Sequence, residues 1–177
     1  MAQTSVTRDK LRSIKAIALD VDGVLTDGGM WWGADGSELK RFSFADIMGI
    51  SLARRSGLTI ALISGEDSPL VDRYASKMFI TDVAKGCRDK AAALRDFAQR
   101  NNLQLNEICF MGDDVNDLPA IEISGLSAAP ADARPAVIQR VDFVANLSGG
   151  CGAVRELVEA LLAARGTDAE TVYRNSL

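Results

Sequence analysis

The sequence predicts a doubly wound α/β fold, a parallel sheet covered by helices on both faces. Strand-length apolar runs recur along the chain, and segments with helical periodicity separate them. The runs are near-continuously apolar rather than alternating, as strands buried on both faces must be. Strand-helix alternation over the full length then implies a Rossmann-like doubly wound sheet, and one domain over residues 1–177.

The elements follow in order. "IKAIAL" (14–19) is the first strand and ends in Asp20-Val21-Asp22-Gly23. The next segment breaks the alternation: "GGMWWGADGSELKRFSF" (28–44) puts Ala34-Asp35-Gly36 between two short strand-like arms, which reads as an inserted β-hairpin. Trp31 and Trp32 are neighbours, so in a strand they point to opposite faces and cannot both enter one small core. One of them is available to cover a partner subunit or a substrate; the plainer reading lays it along the hairpin base. A helix over 46–56 stops at Gly57, and "LTIALIS" (58–64) is the second sheet strand. Ser68 and Pro69 form an N-cap and N1 pair for the following helix. "MFITDV" (78–83) is the third strand, and the helix over 89–100 gathers Ala91, Leu94, Phe97 and Ala98 on one face. "EICFMG" (107–112), "LSAAP" (126–130) and "DFVANL" (142–147) complete the sheet. A last helix over 152–164 aligns Val154, Leu157, Val158, Leu161 and Leu162, and the polar tail from about 166 to 177 is expected to be loosely ordered.

Composition narrows the function. The chain has 177 residues, 47% hydrophobic and 25% charged, long enough to bury a sizeable core. Lys plus Arg number 20 against 24 Asp plus Glu, a net charge of -4, which argues against a nucleic-acid partner. The opening "MAQTSVTRDKLRS" lacks the apolar stretch of a secretory signal, and no apolar run approaches the ~18 residues of a membrane span, so the expected location is cytoplasmic. Cys87, Cys109 and Cys151 are odd in number and widely spaced, and read as free thiols. The chain has no histidine, which removes Ser-His-Asp and Cys-His nucleophile systems and His-rich metal sites together.

In open α/β sheets ligands bind beyond the carboxyl ends of the strands. Asp20 and Asp22 sit there, as do Ser64 and Glu66, and "FMGDDVND" adds Asp113, Asp114 and Asp117; Lys90 opens a nearby helix. Any one of these carboxylates could simply cap a helix. Asp20, Asp22, Asp113, Asp114 and Asp117 together exceed what capping needs. An all-oxygen cluster suits Mg²⁺, which would offset the carboxylate repulsion and neutralise an arriving phosphate ester. With no histidine, a carboxylate can itself attack phosphorus while a second one moves protons. Ser64 and Lys90 can hold the phosphoryl oxygens, although spacing alone also allows Lys90 to be a solvated helix residue. Asp27 lies past the pair at the root of the hairpin, where capping or bracing the turn suits it.

Taken together, "DVDGVLTDG", "LISG", "RDK" and "GDDVND" resemble, in order and spacing, the four motifs of the haloacid dehalogenase superfamily of phosphatases, over roughly residues 14 to 162. The resemblance implies that Asp20 is the nucleophile, forming an aspartyl-phosphate, and Asp22 the general acid/base. It implies that Ser64 and Lys90 hold the transferring group. Mg²⁺ would be bound by Asp20, the Asp22 main-chain carbonyl and Asp113, with Asp114 and Asp117 in supporting roles.

The hairpin segment, the missing cap domain and "GGCGAVRE" resemble the capless 3-deoxy-D-manno-octulosonate 8-phosphate phosphatase family, which acts on 3-deoxy-2-ulosonic acid phosphates. That likeness implies a small sugar-acid phosphate as substrate and a homotetramer assembled through the hairpins. A neighbouring subunit would help close each site, employing Trp31, Trp32 and the 149–155 segment. Asp46 matches a residue of the family's substrate-binding segment. Three positions depart from the eight-carbon enzymes, which usually carry Arg where this chain has Glu66, Ala45 and Tyr74. Glu66 with Lys77 instead resembles the branch acting on nine-carbon substrates such as 2-keto-3-deoxynononate 9-phosphate and the sialic acid 9-phosphates. A carboxylate accepts hydrogen bonds from sugar hydroxyls where Arg favours an anion; the plainer reading is drift at a rim position. Substrate length therefore stays open between eight and nine carbons. The rivals are a broad sugar-phosphate phosphatase and a non-catalytic module partnering a nucleotidyl-sugar synthetase. Retention of Asp20, Asp22, Lys90 and Asp113 together speaks against the latter.

Overall fold

A computed structural model describes residues 6–176. A short helix α1 (Arg8–Ser13), capped by Thr7, leads into β1 (Ala16–Leu19). The hairpin follows as β2 (Trp31–Trp32) and β3 (Glu38–Leu39), antiparallel, with Trp32 opposite Glu38. Then come α2 (Phe44–Arg55), β4 (Thr59–Ile63), α3 (Pro69–Met78), β5 (Asp82–Ala84) and α4 (Lys90–Arg100). The second half runs β6 (Ile108–Met111), α5 (Leu118–Ile123), β7 (Leu126–Ala129), α6 (Pro135–Ile138), β8 (Phe143–Val144), α7 (Ala153–Ala164) and α8 (Ala169–Arg174). Two short 3₁₀ turns, Leu105–Glu107 and Val115–Asp117, sit before β6 and α5.

Six strands form one sheet in the order β5-β4-β1-β6-β7-β8, every pair parallel. The chain builds outward from β1 through β4 and β5, then returns to the other side of β1 with β6. That reversal is the topological switch point at which open sheets leave a crevice. Register does the rest. Leu19 pairs with Leu62 on one side and Met111 on the other, so Asp20, Ser64 and Asp113, one or two residues further on, leave the sheet along the same edge.

Both sheet faces are buried, and the two cores divide the strands by alternate residues. Ile17, Leu19, Cys109 and Met111 face α2 and α7, where they meet Ile50, Leu157 and Leu161. Ala16, Ala18, Ile108 and Phe110 face α4 and α5, meeting Leu94, Phe97 and Ile121. This double coverage explains the continuous apolar runs. The expected doubly wound sheet, the hairpin after its first strand and the absence of a cap domain among the described residues all agree with the structure. Cys87, Cys109 and Cys151 are free. Among the described residues no helix is long and apolar enough to cross a membrane.

Three boundaries differ from expectation. The strand read at 78–83 starts only at Asp82, because Met78 still belongs to α3 and Phe79 closes that helix in a left-handed conformation (φ 53°). The strand at 142–147 shortens to Phe143–Val144. The tail, expected to be loose, contains helix α8: the Asp168 carboxylate accepts the Thr171 N–H, and Ala169 and Val172 pack on the core. Packing rather than propensity supports so short a helix.

Candidate active site

The site grows from the ends of β1 and β6. The loop after β1 turns sharply at Gly23, whose φ of 90° suits glycine, and a Cβ there would run into the Asp113 carboxylate. That close approach brings the Asp20 and Asp113 loops together. Asp20 is held by its backbone N–H on the Met111 carbonyl (3.0 Å), and its side chain is buried. Lys90, the first residue of α4, is 1% exposed; its ammonium lies 2.9 Å from Asp20 Oδ1 and 2.6 Å from Asp117 Oδ1. The solvated-helix reading of Lys90 is thereby ruled out. Asp117 is itself buried, and its Oδ2 accepts the backbone N–H groups of Asp113 (2.9 Å) and Asp114 (3.2 Å), so it stiffens the loop it belongs to.

The electrostatics of this floor are unusual. Burial, with Asp117 beside it, pushes the Asp20 carboxyl up to about 7 even though Lys90 pulls the other way. Asp113 also rises to about 7, through burial and the nearby Asp117 and Asp114. For Lys90 burial works against the charged form, but Asp20 and Asp117 outweigh it and raise its pKa. Asp113 Oδ1 is buried and has no hydrogen-bond partner. Asp20, Asp113 and Asp117 each offer a carboxylate oxygen, the three lying within 4.8 Å of one another. Crowded oxygens with an orphaned lone pair and no soft donor fit a hard divalent cation such as Mg²⁺. Since Asp117 is already engaged by Lys90 and two N–H groups, Asp20 and Asp113 are the better side-chain ligands.

The rim is built differently. Asp22 is half-buried, and Lys40 Nζ reaches both its oxygens, 2.9 Å from Oδ1 and 3.0 Å from Oδ2. The same ammonium bonds Glu66 and lies 4.0 Å from Glu38. Ser64 is buried at the end of β4, and its hydroxyl accepts the Glu66 N–H (3.2 Å). Asp114 turns outward, accepting the Val115 N–H (2.7 Å) and pairing with Arg134 (3.4 Å). Asp27 braces the hairpin root, accepting the Gly29 N–H (3.0 Å) and pairing with Arg41 (3.1 Å), and these partners hold its carboxyl below the usual range.

Two expected substrate residues lie elsewhere in this chain. Asp46 is fully buried and both its oxygens are taken: they accept the backbone N–H groups of Gly152 (3.0 Å), Val154 (3.0 Å) and Arg155 (3.2 Å). Its carboxylate caps the start of α7. Lys77 is exposed at the end of α3, 5.6 Å above the Phe44 ring, and lines a groove of about 440 Å³ with Ile47, Met48, Arg54 and Phe79. It is not gathered with Glu66. Trp31 and Trp32 are both exposed, at 69% and 77%, so neither enters the core.

Lys40 is the residue that sequence reasoning missed. A signal did exist: along "ELKRF", Glu38, Lys40 and Phe42 alternate with Leu39 and Arg41, and the first set turns inward. Glu38 accepts the Ser68 hydroxyl (3.3 Å), Lys40 meets Asp22 and Glu66, and Phe42 stacks on Tyr74 at 4.3 Å.

Comparison with known proteins places this geometry. The family model for haloacid dehalogenase-like hydrolase matches residues 41–154. The chain is 40% identical over 157 residues to the 3-deoxy-D-manno-octulosonate 8-phosphate phosphatase of Escherichia coli (strain K12), covering 89% of this chain and 84% of that protein. A structure of the Moraxella catarrhalis enzyme of that name, in complex with magnesium ion, phosphate ion and a KDO molecule, superposes with a TM-score of 0.90 at 30% identity, covering 96% of this chain and 97% of the other. The cobalt-bound form of the Haemophilus influenzae phosphatase gives a TM-score of 0.86 at 37% identity over 89% of this chain and 92% of its own.

Proposed function

The chain belongs to the haloacid dehalogenase-like hydrolase family, and from that premise we propose that it is a Mg²⁺-dependent phosphomonoesterase acting on a 3-deoxy-2-ulosonic acid phosphate. The observation that carries this reading is the buried floor, where Asp20, Asp113, Asp117 and Lys90 converge and one Asp113 oxygen is left unbonded. The relatives' names and the Moraxella complex support the substrate class. Asp20 and Asp113, with the Asp22 main-chain carbonyl, would hold Mg²⁺. Bound there, the cation neutralises charge on the phosphoryl group and on the crowded carboxylates.

The residues divide the reaction as follows. Asp20 attacks phosphorus in line and the P–O bond to the sugar breaks, giving an aspartyl-phosphate. Protonated Asp22 gives its proton to the departing sugar oxygen. Asp22, now a carboxylate, takes a proton from water as that water attacks phosphorus; inorganic phosphate leaves and Asp20 is regenerated. Lys90 and Ser64 offer donors to the phosphoryl oxygens, Lys90 from a position it already holds against Asp20. Asp117 keeps Lys90 and the Asp113 loop in place. Glu66, on the rim, is placed to accept hydrogen bonds from sugar hydroxyls, the one feature that speaks for a nine-carbon chain, while the relatives above are named for an eight-carbon ester and Lys77 lies apart from Glu66. The exposed Trp31 and Trp32 give the hairpin a surface for assembly into a homotetramer.

Phosphate release from eight- and nine-carbon ulosonate phosphates, with and without Mg²⁺, tests the proposal. The expected outcome is release that requires Mg²⁺, and the ratio of kcat/KM on the two esters decides between eight and nine carbons. Undiminished release in chelator would sink the mechanism, and a strong eight-carbon preference would sink the assignment of Glu66.

A further inference from the structure

The structure assigns Lys40, from the hairpin, as the positioning residue that aims the Asp22 carboxylate, which makes the hairpin part of the catalytic apparatus. The inference rests on the reading of Asp22 as proton donor and goes beyond it, because none of the four motifs contains Lys40.

Asp22 sits in a loop, half-buried, where a carboxylate is free to turn. Proton transfer demands that one of its oxygens come within hydrogen-bond reach of the leaving oxygen. Among the described residues, Lys40 is the only side chain bonded to that carboxylate, and it reaches both oxygens, at 2.9 and 3.0 Å. The Lys40 side chain is 1% exposed, so its four-carbon stem is fixed, an entropy cost that an ordinary surface ion pair does not repay. Its remaining donor goes to Glu66, on a different loop. One ammonium thus ties the loop after β1 to the loop after β4.

The hairpin arm is itself held on both sides of Lys40. Glu38 accepts the hydroxyl of Ser68, the residue that caps α3, and Phe42 stacks on the buried ring of Tyr74. Arg41, facing the other way, pairs with Asp27 and donates to the Gly150 carbonyl (3.2 Å). Lys40 is therefore presented from an arm anchored at Glu38, Arg41 and Phe42, as a positioning group needs to be.

Leaving-group dependence tests this without confusing position with folding. An alkyl sugar phosphate needs a proton on its departing oxygen, whereas p-nitrophenyl phosphate releases a stable nitrophenolate without one. Lys40→Met is expected to lower kcat/KM on the sugar phosphate roughly a hundredfold and on p-nitrophenyl phosphate less than about fivefold. Lys40→Gln, which keeps an amide donor, is expected to show the same split at smaller size. Equal losses on both esters, from either unfolding or general damage, would overturn the assignment, as would full activity on both. Asp22→Asn in parallel keeps the two readings apart. If it shows the split and the Lys40 variants do not, Lys40 is not the positioning group. If it shows no split, Asp22 is not the proton donor and the proposed mechanism itself fails.

Discussion

The floor and the rim of this site solve the same electrostatic problem in opposite ways. On the floor, Asp20, Asp113 and Asp117 are crowded with a single ammonium, Lys90, and burial holds two of the carboxyls near neutrality at about 7. On the rim, Asp22 and Glu66 are half-buried and share Lys40, a residue supplied by the inserted hairpin. The floor is built from residues at the carboxyl edge of the sheet and the start of α4. The rim depends on a lysine from the inserted hairpin. Each cluster is organised by its own lysine, and the rim holds both the proposed proton donor, Asp22, and the proposed sugar contact, Glu66.

Breaking the floor should cost most. Asp20→Asn removes the proposed nucleophile while keeping its shape, and kcat is expected to fall a thousandfold or more, to roughly the level that binding and electrostatics alone sustain. Circular dichroism should remain that of the parent. A variant retaining a tenth of the activity would place the nucleophile elsewhere.

The floor also predicts an unusual pH dependence of stability. A carboxyl whose pKa is raised by folding binds its proton more tightly in the folded state, so between about pH 4 and 7 the folded protein keeps protons that the unfolded chain has lost. This contribution to stability is complete at low pH and is lost as pH rises through about 7. In chelator, Tm of the parent relative to Asp113→Asn is expected to fall from pH 5 to pH 8. Mg²⁺ should raise the parent's Tm more at pH 8 than at pH 5, because only ionised carboxylates hold it. A Tm difference that grows with pH in chelator would contradict the buried-carboxyl picture.

Glu66 should give the smallest effect. Glu66→Gln keeps an acceptor and loses a charge, so KM on the ulosonate phosphate is expected to change less than about tenfold with kcat nearly unaltered. A large fall in kcat would move Glu66 from recognition into the chemistry.

The same division explains what could be read from the sequence. Asp20, Ser64 and Asp113 were legible because strand ends in a parallel sheet share an edge, so local patterns predict a non-local cluster. Lys90 was legible only through motif order, since its burial against Asp20 depends on how α4 docks. Lys40 was hidden: the alternation of Glu38, Lys40 and Phe42 is local, but which surface the hairpin lies against is decided by Ser68 and Tyr74 on α3 and its cap. Asp46 was misplaced for a related reason. Its partners, Gly152, Val154 and Arg155, lie over a hundred residues away, and only the packing of α2 on α7 shows that its carboxylate is committed to backbone N–H groups. In α8, Ala169 and Val172 are too few to signal a helix without the core they meet.

The central claim is that Asp20 is the residue which takes the phosphoryl group, and trapping tests it most directly. The parent and Asp22→Asn are mixed with Mg²⁺ and excess p-nitrophenyl phosphate, whose leaving group needs no proton, and quenched into borohydride, which converts a phosphorylated aspartate to homoserine. Peptide mass spectrometry is expected to find homoserine at position 20 alone, and more of it in Asp22→Asn, where the second step is slowed. Homoserine at Asp22 or Asp113, or none at any position while phosphate is being released, would contradict the account.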